Sequence, residues 1–241
     1  MLKRVAINIH DIFSSIAPKY DKLNTLLTLN IDKLWRKKAI NLCAIKENDK
    51  VLDLCCGTCK MIELECKAVG VNTIVIGLDF NKAMLDVGYK KLNKSLINYK
   101  FDLIQGDVMD LPFADNIFQT ITIAFGLRNV PDKIKAISEM YRVLKPGGKV
   151  VCLELSKPKI PVLKTIYNLY FNFVLPFVGY LGTHDKAAYY YLRNSVNDFM
   201  TKDQLQCEFE QIGFESSGFK SLTFGIASIH YGIKPLNKPI Y

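Results

Sequence analysis

The chain has 241 residues, 49% of them hydrophobic and 23% charged, with a formal net charge of +9 and a pI near 9.1. That length fills one core, and the composition is that of an ordinary globular protein. Seven cysteines, an odd number with no apolar leader ahead of them, argue against a disulfide framework. The basic residues are scattered in short clusters such as 33–38 and 90–94, not gathered into the aromatic-laced patch that nucleic-acid binding uses, so no nucleic acid is expected as a partner. The most apolar stretch, 165–184, contains Asn168, Asn172 and Pro176 and falls short of a bilayer span. The N-terminus lacks the apolar core and cleavage site of a secretory signal, so the chain is expected to be cytoplasmic. The basic balance leaves room for peripheral contact with an anionic membrane surface.

Residues 1–45 read as a helical N-terminal cap, with Phe13, Ile16, Ala17 and Tyr20, then Leu23, Leu26, Leu27 and Leu34, at helical spacing. Strand and helix signals then alternate. Apolar runs at 50–56, 73–80, 99–107, 117–125 and 149–155 read as strands. The stretches reaching Ala68, from Ala83 to Leu92 and from Asp132 to Leu144 read as helices. Lys145-Pro146-Gly147-Gly148 reads as a turn. This alternation predicts an α/β fold: a doubly wound, mostly parallel sheet with helices on both faces. From about 160 the pattern changes to a helix apolar on both sides, kinked at Pro176. Residues 160–200 are expected to form a helical insertion on the substrate side. One more helix (201–214) and a pair of strands (217–234) complete a single domain over 1–241.

In an open parallel sheet, ligands bind beyond the carboxyl ends of the strands. Here those ends carry Asp53-Leu54-Cys55-Cys56-Gly57-Thr58-Cys59, then Asp79, then Gly106-Asp107. Small residues after the first strand let the backbone approach a ligand closely. A carboxylate after the second strand suits two ribose hydroxyls, and an Asp after the third suits an adenine amino group. A dinucleotide-binding fold would need G-x-G-x-x-G to hold a pyrophosphate, whereas this loop has only Gly57. A cationic sulfonium needs no phosphate cradle and is better served by acidic neighbours. The set therefore predicts S-adenosylmethionine as cofactor, with Asp53, Gly57, Thr58, Asp79, Gly106, Asp107, Val108, Ala124 and Tyr20 around it. Cys56-x-x-Cys59 has zinc-knuckle spacing but lacks a second ligand pair, so no metal is expected.

Three further runs are more specific: IFQTITIAFGLRNV (117–130), EMYRVLKPGG (139–148) and LELSKP (153–158). With Phe13-x-x-Ile16-Ala17-x-x-Tyr20-Asp21-x-x-Asn24 at the start and Leu222-Thr223-x-Gly225-Ile226-x-x-x-His230 at the end, they resemble the quinone-biosynthesis C-methyltransferases across nearly the whole chain. The resemblance implies that Thr58, Asp79, Gly106 and Asp107 contact S-adenosylmethionine. It further implies methylation of a ring carbon of a prenylated hydroquinone. Demethylmenaquinol is favoured by the Cys55-Cys56 pair, with a polyprenyl benzoquinol or another phenolic lipid as alternatives. Relatives usually carry a small residue at position 59 and an acidic one at 60. Cys59 and Lys60 make this loop tighter and more basic than theirs.

Methylating a ring carbon requires loss of a phenolic proton, with a pKa of roughly 10 in a simple phenol, to push electron density onto the carbon. Arg128 and Asn129, directly after the fourth strand, are the first candidates for this chemistry. Arg128 stays protonated, so it would stabilise a phenolate or orient a water. His184, Asp185, Tyr189 and Tyr190, beyond the aromatic helix, are the second. Tyr20 is expected to close over the cofactor, the 160–182 stretch to take an isoprenoid tail, and a homo-oligomer is left open.

Overall fold

The computed structural model describes residues 9–158, 165, 169 and 186–236. Three helices, α1 (Ile9–Ile16), α2 (Tyr20–Leu27) and α3 (Asp32–Cys43), precede the first strand. Then follow β1 (Val51–Leu54), α4 (Lys60–Val69), β2 (Ile74–Asp79), α5 (Lys82–Ser95), β3 (Lys100–Gln105), β4 (Phe118–Ala124), a 3₁₀ turn (Leu127–Asn129), α6 (Lys133–Val143) and β5 (Leu144–Leu155). The described part resumes with α7 (Lys186–Asp198), α8 (Lys202–Ile212), β6 (Glu215–Leu222), a 3₁₀ turn (Thr223–Gly225) and β7 (Ala227–Ile233). The predicted kinked helix at 160–182 lies almost wholly outside the described residues, and so do His184 and Asp185.

The strands form one seven-stranded sheet in the order β3-β2-β1-β4-β5-β7-β6. The first five pair in parallel, and β7 is antiparallel to both β5 and β6. The order reverses at β1, so the crevice for a ligand opens beyond the carboxyl ends of β1 and β4. β1 is buried along its whole length, as expected for a strand covered on both faces. Its alternation divides the core. Leu52 and Leu54 pack with Ile137, Met140 and Phe209 of α6 and α8, whereas Val51 packs with Ile62, Cys66 and Leu85 of α4 and α5. On β5, Val151 and Leu153 meet Trp35 and Ala39 of α3. Val196 of α7 joins Ile12, Ile16 and Leu23 of the N-terminal helices.

The Lys145–Gly148 segment is not a free turn: it lies inside β5, where the pairing with β4 shifts register between Phe118 and Thr120. Gly147 there is left-handed, with φ +77°, and its N–H donates to Lys234 O at 2.8 Å. The glycine thus turns a loop signal into a bulge tied to the chain beyond β7. No helix among the described residues is long and apolar enough to cross a membrane.

Candidate active site

Beyond β1, the backbone bends through left-handed residues at Cys55, Gly57 and Cys59, with φ of 51°, 54° and 66°. At Gly57 this conformation suits glycine, and it turns the amide toward β2. The Gly57 N–H donates to Asp79 Oδ2 at 2.8 Å, and the Asn81 N–H donates to Asp79 Oδ1 at the same distance. Burial pushes the Asp79 pKa up, and these two amides oppose the shift. Gly106 N–H donates to Asp79 O at 3.0 Å, which ties the end of β3 to the end of β2. The Asp107 carboxylate is exposed and accepts from Met109 N–H at 2.8 Å.

These strand ends surround a cavity of about 440 Å³. Of the residues expected at a cofactor, Gly57, Thr58, Asp79, Gly106, Asp107, Val108, Ala124 and Tyr20 line it. Ile9, His10 and Phe13 of α1 roof it. The roof is latched: Asn81 Nδ2 donates to His10 O and Ser14 Oγ, at 3.0 and 2.9 Å. Thr58 Oγ1 donates to Asp21 Oδ1 at 2.6 Å, and Lys91 forms an ion pair with the same carboxylate.

Asp53 does not line this cavity, contrary to expectation. It stands on β1 one residue before the strand's end, and the pleat sends its side chain under the site toward α4. There Thr122 Oγ1 lies 2.9 Å from Asp53 Oδ1 and 2.6 Å from Glu65 Oε1, all three residues being buried. One hydroxyl proton serves one of these oxygens. The other carboxyl must therefore hold its own proton and donate to Thr122 Oγ1. Burial supplies the reason, raising Asp53 to about 7 and Glu65 well above the carboxylate range.

Cys59 does not tighten the cavity either. Its side chain turns away into α5, where a Cβ at position 88 would stand 2.3 Å from Cys59 Sγ, so the space exists only because residue 88 is glycine. Cys55 and Cys56 do line the cavity, and burial pushes both thiols far up, which leaves them inert. All seven cysteines are unpaired.

Lys60 lines the cavity together with Arg36, a residue that the sequence reading missed. Arg36 is 7% exposed, and its guanidinium sits 4.9 Å above the Phe125 ring. It makes no hydrogen bond among the described residues, and Asp32 Oδ2 lies 3.5 Å from Nε. Lys60 Nζ is 3.4 Å from the same oxygen. Burial works to raise the Asp32 pKa, but Lys60, Arg36 and the Thr28 hydroxyl outweigh it and lower it, so Asp32 is charged. Sheet order puts Asp79 and Asp107 on the β2–β3 side of β1, while Arg36 lies over Phe125 on the β4 side. The cavity is therefore polarised along its length, acidic at one end and cationic at the other.

Arg128 lies off the main cavity. Its Nη1 donates to Glu154 Oε1 at 2.7 Å and to Phe125 O at 2.5 Å. Burial alone would lower its pKa, and Glu154 raises it, so it stays charged. Arg128 borders a smaller neighbouring cavity of about 50 Å³ that shares Phe13 and Tyr20 with the main one. Asn129 does line the main cavity, and its Oδ1 accepts from the Tyr191 hydroxyl at 2.9 Å. Tyr189 and Tyr190 stand on the backbone of α7, but their side chains lie outside the described residues. Tyr191, the next residue, is the one seen to reach the site.

The comparisons with known proteins agree on fold and family. A SAM-dependent methyltransferase of Thermotoga maritima superposes with a TM-score of 0.65 at 17% identity, covering 94% of this chain and 100% of that one. One from Aquifex aeolicus gives 0.63 at 17%, covering 89% and 97%. At that identity the likeness shows the fold. Demethylmenaquinone methyltransferases of Staphylococcus carnosus and Staphylococcus haemolyticus are each 46% identical over 226 residues, 94% of this chain and 92% and 93% of theirs. Residues 2–234 match the ubiE/COQ5 methyltransferase family, and the chain belongs to it.

Proposed function

We propose that this methyltransferase moves a methyl group from S-adenosylmethionine to a ring carbon of demethylmenaquinol. The observation that carries the substrate is the 46% identity, over nearly the full length of both chains, to enzymes named for that reaction. The polarised cavity supports the donor. Asp79 has oxygen lone pairs left for the two ribose hydroxyls after accepting from Gly57 and Asn81. Asp107 and Val108 take the adenine. At the other end the buried Arg36 guanidinium, whose Nε has no hydrogen-bond partner among the described residues, fits the methionine carboxylate, with Lys60 beside it.

S-adenosylmethionine supplies an electrophilic methyl, and the protein supplies orientation and proton handling. Asn129 and Tyr191 stand at the edge of the cavity where a quinol ring would meet the methyl. Arg128, kept charged by Glu154, does not act as a base. From the wall of the adjoining small cavity, Arg128 with Tyr20 and Tyr191 would stabilise the phenolate that remains when the phenolic proton is released to solvent. The roof of α1 and α2 excludes bulk solvent from the carbon under attack. The 160–182 stretch, expected to take the prenyl tail, lies almost wholly outside the described residues.

The test is transfer from labelled S-adenosylmethionine to demethylmenaquinol held reduced, with a polyprenyl benzoquinol in parallel. Labelled menaquinol, with turnover down about 100-fold in Arg128→Ala, is the expected result. Label appearing only in the benzoquinol would move the assignment to the other substrate, and label in neither would overturn the quinol reading.

A further inference from the structure

Two of the most exposed apolar side chains sit in left-handed turns at one end of the sheet. Leu29, in the turn between α2 and α3, is 75% exposed, and Phe224, in the turn between β6 and β7, is 71% exposed. Both are left-handed, with φ of 49° and 57°, a conformation disfavoured for residues of this size. Both also lie on one side of the molecule. The β6–β7 turn sits beyond the carboxyl end of β5, where Ala227 pairs with Leu155. α3 runs back along β5, with Leu42 O near the helix's end accepting from Lys149 Nζ and Trp35 Nε1 near its beginning donating to Thr223 Oγ1 at 2.8 Å. The first turn of α3, and with it Leu29, is thereby placed at the same end of the sheet, the end where the cofactor cavity opens.

The groove beside Leu29 is net basic, lined by Lys22, Lys33 and Lys60 and by one acid, Asp21, which Lys91 pairs. Leu26, itself 49% exposed, shares this open groove with Leu29, Lys22 and Lys33. Lys22 and Lys33 are exposed, and neither has an ion-pair partner among the described residues. The groove meets the cofactor cavity at Lys60, which lines both.

We propose that this face docks on an anionic lipid bilayer, with Leu29 and Phe224 entering the headgroup–acyl boundary and Lys22 and Lys33 meeting the lipid phosphates. Charge selects the occupant. Exposed leucine alone would suit a second copy of the chain, but unpaired lysines beside it would repel their counterparts there and are attracted to an anionic surface. Apolar tips with flanking cations are the pattern of an interfacial contact that inserts shallowly and does not span. Such docking presents the cavity mouth to the layer that holds a prenylated substrate. It rests on the quinol reading for its purpose, whereas contact with lipid is measured without any quinol.

The experiment is flotation of the full chain with vesicles of phosphatidylcholine alone and with about one-third phosphatidylglycerol, alongside methyl transfer to a demethylmenaquinol with a single isoprene unit. Wild type floats with the anionic vesicles and not with the neutral ones. Lys22→Glu with Lys33→Glu weakens that binding at least about tenfold. Leu29→Asn with Phe224→Asn, a substitution that suits left-handed backbone, weakens it severalfold with unchanged melting behaviour. Turnover of the short-tailed quinol is unchanged in both. Equal flotation of wild type and variants, binding indifferent to lipid charge, or a concentration-dependent dimer that the same variants dissolve would overturn the proposal. Loss of short-tail turnover in wild type would instead strike the quinol reading and leave the docking result standing.

Discussion

The two ends of the cofactor cavity are built by different means. At the acidic end, Asp79 is the last residue of β2 and is fixed by two main-chain amides. At the cationic end, Arg36 and Lys60 project from helices α3 and α4 and are held by one shared carboxylate, Asp32, and by the face of Phe125. The first end is part of the sheet and changes only if the sheet does. The second is an arrangement of side chains, open to retuning by single substitutions.

The contrast is broken most strongly at Asp79. Asp79→Asn brings an amide nitrogen against the Gly57 or Asn81 N–H and removes the charge. Affinity for S-adenosylhomocysteine is expected to fall about 100-fold by calorimetry, roughly 2.7 kcal/mol. Binding of methylthioadenosine, which keeps the ribose but lacks the amino acid, should fall as far. Arg36→Ala is the sharper case. It should weaken S-adenosylhomocysteine about 20-fold and leave methylthioadenosine within about twofold, because only the former has a carboxylate. Equal losses for the two ligands would remove Arg36 from the carboxylate. Lys60→Gln is expected to cost about threefold, with a loss that shrinks as salt rises, since Lys60 is partly screened.

The smallest effect is on stability, under the acidic end. Asp53 and Glu65 hold protons more tightly folded than unfolded, so their contribution is fully present below the ordinary carboxylate pKa and is lost as pH rises through the folded values. For Asp53 that window runs from 3.8 to about 7. Glu65→Gln removes one of the two titrations. Its melting temperature relative to wild type should rise as pH increases above 4.5, the ordinary glutamate value, and a difference flat with pH would mean that Glu65 holds no proton in the fold.

Much of this was legible in the sequence. Apolar β-branched runs that stop at Asp79 and Gly106–Asp107 mark strand ends, and strand ends of a parallel sheet are where the site sits. Asp53 was misplaced because composition does not give the phase of the pleat. One residue short of a strand's end, a carboxylate points into the helix layer instead of out of the sheet. Arg36 was missed because it lies in the lysine-rich 33–38 stretch, which reads as a solvated face. Only the Trp35 beside it and the Asp32 one turn before hint that this side of α3 is buried. Tyr191 was not singled out because it closes a run of three tyrosines, and pattern alone does not say that its hydroxyl meets Asn129. The register shift inside β5 was hidden by Pro146-Gly147-Gly148, a signal shared by turns and bulges.

The contact between Cys59 and Gly88 couples the two positions. A methyl at position 88 would stand 2.3 Å from Cys59 Sγ and 3.2 Å from Cys59 Cβ and the Thr58 carbonyl carbon. The thiol at 59 is therefore accommodated by the missing side chain at 88. Gly88→Ala is expected to destabilise the chain by about 1–3 kcal/mol through overpacking, and adding Cys59→Ala should recover only part of that loss, because the Cβ contact remains.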